Sequence, residues 1–155
     1  MGARWALSLL GGALAAAAGS EIAVRTVASG HQSGIREARQ VVARTPAEWE
    51  ALWREHSRQP APELDLDEVM AVGIFLGTRP TGGYAVEVKA VRKDDGGLVV
   101  EYAERRPSPD AMVTQALTAP FQIVGLPRHE GEVRFRRVGT APRRRDGARP
   151  PEVER

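Results

Sequence analysis

The chain has 155 residues, a formal net charge of +2 and no cysteine. This length predicts one folded domain, and the absence of cysteine excludes disulfides, thiol catalysis, thiolate metal sites and lipid attachment through an N-terminal cysteine. Residues 139–155 hold five arginines against three acidic residues, whereas residues 21–138 hold sixteen basic and seventeen acidic residues. The basic excess therefore lies in the tail, and we expect no nucleic-acid partner for the domain.

The first eighteen residues have the pattern of a signal peptide. Arg4 supplies one positive charge, and residues 6–18 are an uninterrupted run of small and apolar residues, too short for a permanent membrane span. Cleavage before Gly19 is predicted, with cleavage after Ser20 or retention as an anchor as alternatives. We therefore expect an exported protein, periplasmic or secreted and soluble after cleavage, with its domain at 21–138 and a disordered basic tail at 139–155.

The start of the domain combines strands with one helix. Strands are predicted at 21–30 and 37–44. Thr45, Pro46 and Glu48 are typical of a helix N-terminus with a capping box. Trp49, Leu52, Trp53 and His56 follow at i, i+3, i+4 and i+7, so this stripe is expected to pack the helix onto a sheet, and a ligand-stacking site on the two tryptophans is the weaker alternative.

The rest of the domain is a series of short strands. Residues 69–76 are almost all apolar and predict a central strand covered on both faces. Residues 84–91 and 98–104 alternate around a turn at 93–97, and 121–126 and 132–138 are interpreted as a last strand pair. The pattern predicts an α+β fold, a mainly antiparallel, sandwich-like β-domain with one packed amphipathic helix.

Catalytic and metal sites find no support in the residue spacing. The three histidines have no ligand partner two to four residues away, Ser33 stands one residue late for a nucleophile elbow, and residues 77–82 lack the ending of a phosphate loop. Asp65, Asp67 and Glu68 lack the glycine and the distal glutamate of a calcium loop. We expect no enzyme, no cofactor and no metal.

The loop at 77–84 is the candidate binding site. It joins two predicted strands through a Pro/Gly turn, and a loop fixed on a scaffold is a common place for binding residues. The candidate residues are Arg79, Thr81, Gly82, Gly83 and Tyr84. The alternative is a tight turn whose glycines supply positive φ.

Several segments together resemble a known family. They are Gly-Thr-Arg-Pro-Thr-Gly-Gly-Tyr at 77–84, Arg-Pro-Ser-Pro-Asp at 106–110, Val-Thr-Gln-Ala-Leu-Thr-Ala-Pro-Phe at 113–121, the Trp-containing helix after its Thr-Pro cap, and a closing strand ending near Phe135. In this order, over residues 24–138, they resemble the C-terminal domain family of the protease-complex subunit PrcB.

The resemblance implies an exported, non-catalytic accessory protein that binds and stabilises an extracytoplasmic partner, such as a secreted subtilisin-like protease or another envelope protein. The resemblance assigns no functional residues to positions of this chain. The loop is also similar to the Thr-Gly-aromatic loop of chagasin-like cysteine protease inhibitors, so a protease inhibitor presenting residues 77–84 is the alternative function.

Overall fold

The computed structural model describes residues 20–139. The predicted signal peptide at 1–18 and residues 140–155 of the predicted tail lie outside the described residues. The described elements, in chain order, are β1 (Arg25–Gly30), β2 (Arg39–Ala43), α1 (Pro46–His56), β3 (Val69–Phe75), β4 (Ala85–Asp94), β5 (Gly97–Arg105), β6 (Phe121–Pro127) and β7 (Val133–Arg137).

Two sheets form the body of the protein. The first has the strand order β1-β6-β3-β2 and is antiparallel throughout, and the second has the order β4-β5-β7, with β7 parallel to β5. The α+β fold with a mainly antiparallel sheet and one helix is therefore confirmed. The pairing predicted for the last two strands is wrong, because β6 lies between β1 and β3 while β7 joins the other sheet.

The helix begins and ends where its residue types predict. The N-terminal cap is made by Thr45, whose Oγ1 accepts from the N–H of Glu48 at 3.2 Å, and Pro46 occupies the first turn. The capping box is shifted by one residue, since the Glu48 carboxylate accepts from the N–H of Arg44 at 2.9 Å. The predicted stripe at 49, 52, 53 and 56 is buried.

The strand β3 separates two apolar cores. One core fills the space between α1 and the four-stranded sheet and includes Ala71 and Phe75. The other lies between the two sheets and includes Met70, Val72 and Ile74. The prediction of a central strand covered on both faces is confirmed, because the flanks of β3 are occupied by β2 and β6 and both of its faces are buried.

The first described residues connect the two sheets. The carbonyl of Ser20 accepts from the N–H of Lys93 at 3.1 Å, and the N–H of Ile22 donates to the carbonyl of Val91 at 2.7 Å. The chain then continues into β1, which pairs with β6. One continuous segment thus extends the β4 edge of one sheet and supplies the outer strand of the other.

On the opposite side, side chains of β2 and of the residue just after it reach β5 and the connection between β6 and β7. Gln40 Nε2 donates to Tyr102 Oη at 2.9 Å, and Tyr102 pairs with Arg137 of β7. The guanidinium of Arg44, just after β2, donates to the carbonyls of His129 and Gly131 at 3.0 and 2.7 Å. These contacts hold this side of the sandwich together.

Candidate functional site

The 77–84 loop connects β3 to β4 at one end of the sandwich. Gly77 has φ +75° and Gly83 has φ +88°, a conformation that other residues rarely adopt. A Cβ atom at Gly77 would lie 2.7 Å from the backbone nitrogen of Ala38, and one at Gly83 would lie 2.7 Å from Pro107 Cβ. Both glycines are therefore required by backbone conformation and by close packing.

A second segment, residues 106–120, covers this loop. Arg79 and Thr118 exchange two backbone hydrogen bonds of 2.7 and 3.0 Å, and Thr118 Oγ1 donates to the Thr81 carbonyl at 2.8 Å. The N–H of Gly82 donates to the Thr114 carbonyl at 2.9 Å. The loop is thus fixed along its length.

The predicted binding residues lie together but are engaged within the protein. The Arg79 guanidinium contacts Glu104 and has its Cζ 5.7 Å from the centre of the Tyr84 ring. The carbonyl of Tyr84 accepts from His31 Nδ1 at 3.2 Å. Thr81, Gly82 and Tyr84 are half-buried, and Gly83 is exposed. Their role in binding stays a prediction.

Three arginines surround one carboxylate beside the loop. Glu104 Oε1 lies 3.0 Å from Arg79 and 3.5 Å from Arg106, and its Oε2 lies 3.6 Å from Arg137. The Glu104 side chain is only 5% exposed, whereas those of Arg106 and Arg137 are 64% and 56% exposed. One buried carboxylate thus holds the three guanidiniums, and the group has a net positive charge.

The covering segment also places apolar side chains in solvent. Met112 is fully exposed and Leu117 is 62% exposed. Neither residue is among the binding candidates selected from the sequence. Their exposure was indicated in the sequence only by their position: both are large apolar residues in a Pro-marked stretch without alternation, where no sheet face is expected to cover them.

A serine and a histidine meet in the core near the start of the site. Ser33 Oγ lies 2.9 Å from His56 Nδ1 and accepts from the N–H of Ile35 at 3.0 Å, so its hydroxyl is free to donate to the imidazole. Both side chains are buried, and the His56 ring packs on Phe121 with ring centres 4.1 Å apart. Desolvation lowers the pKa of His56 below its usual value. The pair joins the 31–35 loop to the end of α1.

The two helix tryptophans are part of the core. Trp49 and Trp53 are buried, and their indole N–H groups donate to the carbonyls of Pro62 and Gln59 at 3.0 and 2.8 Å. The segment after α1 thus supplies a hydrogen-bond acceptor for each indole N–H group. This packing accounts for the stripe without a stacked ligand.

Within residues 20–139 no helix is long and apolar enough to cross a membrane, and no three acidic or histidine side chains are grouped to hold a metal ion. The family model described as PrcB C-terminal matches residues 70–127, which confirms the resemblance drawn from the sequence. No curated protein and no solved structure matches the chain.

Proposed function

We propose that this chain, whose residues 70–127 match the PrcB C-terminal family model, is an exported, non-catalytic accessory protein that binds and stabilises an extracytoplasmic partner. The family match carries this proposal. It runs from β3 to the end of β6 and includes both the 77–84 loop and the segment that covers it. The partner that we favour is a secreted protease of the subtilisin-like class.

The form of the candidate site supports binding. Its two segments are held to each other by backbone hydrogen bonds, and such rigid loops lose little conformational entropy when a partner binds. The Ser33–His56 pair does not offer a nucleophile to a substrate, because both side chains are buried. A surface for another protein accounts for this arrangement better than an active site does.

Export is the part of the proposal that a single measurement decides. The apolar run at 6–18 motivates it, and Ser20, one residue after the expected N-terminal Gly19, is already paired with β4. Intact mass and N-terminal sequencing of the protein from its native host should show a mature chain that starts at Gly19. An unprocessed chain in the cytoplasmic fraction would contradict export and, with it, the extracytoplasmic partner.

The partner is tested by affinity capture of the mature protein from periplasm or culture medium. We expect a protease to be recovered, and we expect that protease to lose activity faster on heating when this protein is absent. Capture of no protein, or of a protease whose lifetime does not change, would argue against an accessory role.

Direct inhibition of a protease is the second candidate. The observation that favours it is the rigidity of the 77–84 loop, since a preorganised loop is what an active site requires of an inhibitor. The purified protein should then slow a papain-like or subtilisin-like enzyme at micromolar concentration. The variant Pro80→Ala/Thr81→Ala should abolish the effect, whereas Glu87→Gln on β4 should retain it. Undiminished proteolysis would exclude this candidate.

A further inference from the structure

Two exposed apolar side chains stand on a fixed segment. Among residues 20–139, the large apolar residues in solvent are Val24, Met112 and Leu117. Met112 precedes Val113, whose Cγ1 would lie 2.9 Å from a Cβ at Gly83, and Leu117 precedes Thr118, which pairs with Arg79. The backbone at Met112 and Leu117 is thus held against the 77–84 loop while both side chains face water.

Two arginines with spare hydrogen-bond donors lie on the same end of the molecule. Arg106 precedes Pro107, which contacts the same glycine as Val113 does. Arg106 and Met112 are therefore each one residue away from the packing around Gly83. Arg137 ends β7 and faces Glu104. At 3.5 and 3.6 Å from Glu104, with more than half of each side chain exposed, both guanidiniums have donors for a second carboxylate.

We propose that Met112, Leu117, Arg106 and Arg137 form a docking surface for an extended segment of a protein partner that carries apolar side chains next to carboxylates. This inference rests on the proposed accessory function and specifies the chemistry of the partner. The apolar pair takes the partner's apolar side chains, and the two arginines take its carboxylates in the planar geometry that guanidinium favours. Charge complementarity selects the occupant, because the cluster around Glu104 is net positive.

An anionic membrane is a poorer fit to the same surface. Recognition of lipid headgroups takes clusters of about four to eight free basic side chains. Here two exposed arginines are oriented around a fixed carboxylate, and Asp110 lies in the same segment. A small number of oriented guanidiniums suits individual carboxylates.

The test uses the mature protein and an amidated octapeptide of alternating leucine and glutamate with fluorescein on its N-terminus, titrated by fluorescence anisotropy and followed by amide NMR shifts. We expect saturable binding below 1 mM, with shifts at residues 106–118 and 137. Met112→Ser/Leu117→Ser and Arg106→Gln/Arg137→Gln should each weaken binding about tenfold, which corresponds to the loss of partial apolar burial or of charge-assisted hydrogen bonds. Val24→Ser and Arg134→Gln are the matched controls and should bind as the unchanged protein does.

Several outcomes would overturn the docking surface. They are absence of binding at 1 mM, equal binding of a leucine-lysine peptide, or equal loss in the control variants. Binding to vesicles of phosphatidylcholine and phosphatidylglycerol that is lost in Met112→Ser/Leu117→Ser would assign the surface to a membrane instead. A captured protease that the Met112→Ser/Leu117→Ser variant still recovers would leave the accessory function standing and refute this surface alone.

Discussion

At the scale of single residues, the buried His56 is the group that links stability to pH. Its imidazole packs among aromatic rings and receives the Ser33 hydroxyl, so the neutral form is favoured in the folded protein. Burial lowers its pKa, and the unfolded chain therefore takes up a proton at higher pH than the folded protein does. Stability contributed by this group is complete above the unfolded pKa, about 6.5, and is lost as the pH falls below it.

We expect the free energy of unfolding to decrease between pH 7.5 and pH 5.5. Urea denaturation at the two pH values measures this decrease. In His56→Phe the difference in unfolding free energy between the two pH values should be smaller, because no group at this position then titrates. Trp53→Phe is the matched control, because it alters the aromatic packing against His56 but removes no titratable group, and it should keep the pH dependence. A His56→Phe variant with an unchanged pH dependence would contradict this assignment.

Glu104 is the carboxylate whose removal should cost the most stability. Its side chain is 5% exposed and faces three guanidiniums. We expect Glu104→Gln to destabilise the protein by about 2 kcal/mol, because the partly buried Arg79 then loses its charged partner. Glu87→Gln, which breaks the exposed pair with Lys89, should change stability by less than about 0.5 kcal/mol. Similar values for the two variants, from urea denaturation, would show that the cluster is not structurally important.

At the scale of elements, two glycines at positive φ allow the stability cost of backbone strain to be distinguished from the cost of steric crowding. Gly96 forms the β4–β5 hairpin turn with Asp95, at φ +76° and +46°, and a Cβ there would meet nothing within 4 Å. Gly83 has φ +88° and would place its Cβ against Pro107 and Val113. We expect Gly96→Ala to cost about 1 kcal/mol from backbone strain alone. Gly83→Ala should cost more, because crowding adds to the strain.

Thermal and urea denaturation of both variants measure this difference. If Gly83→Ala is no more destabilising than Gly96→Ala, the covering segment moves away at little cost, and the packing of the loop is looser than described. In the expected case, amide NMR shifts in Gly83→Ala should extend to residues 113–118, whereas those in Gly96→Ala should stay within the hairpin.

The elements that were predicted correctly have local causes. Helix α1 follows from Thr45, Pro46 and an apolar stripe, and β3 from an uninterrupted apolar run, all within one short window. The pairing of β6 with β7 was predicted from their adjacency in the chain. It is wrong because the five residues between them cross from one sheet to the other, and a parallel partner such as β5 leaves no mark in the local pattern.

The candidate site shows the same limit. The 77–84 loop was recognisable from its glycines, and the structure does bring Arg79 and Tyr84 together. Its cover by residues 106–120 depends on hydrogen bonds between positions far apart in the chain, such as Gly82 with Thr114. Alternation and spacing carry no information on such contacts, so the position of Met112 and Leu117 beside the loop was visible only in three dimensions.

At the scale of the whole molecule, residues 20–24 are needed to complete the fold. They pair with the β4 edge and lead into β1, and Ile22 packs on the core between the sheets. A chain that starts at Arg25 leaves this edge unpaired, and unpaired edges promote association. We expect this shortened chain to melt at a lower temperature and to form dimers or aggregates, whereas a chain that starts at Gly19 should stay monomeric.

Calorimetry and light scattering after size exclusion compare the two chains. The variant Ile22→Ala in the longer chain separates the two effects, because it removes core packing but keeps the backbone pairing. It should therefore lower the melting temperature without promoting association. Equal stability of the two chains would mean that residues 20–24 are dispensable.

The same first strand also governs when folding can finish. Arg25 lies opposite Gly125 in the β1–β6 ladder. The first strand of the domain to be synthesised therefore cannot pair until β6, one of the last strands, has been made. Long-range pairing of this kind slows folding, since a large loop must close before its contacts form. For a chain that is threaded through a membrane channel, this delay is useful. Under the proposed export, the nascent protein would stay unfolded until most of it has been made, and β1 would find its partner strand only after β6 had crossed the membrane.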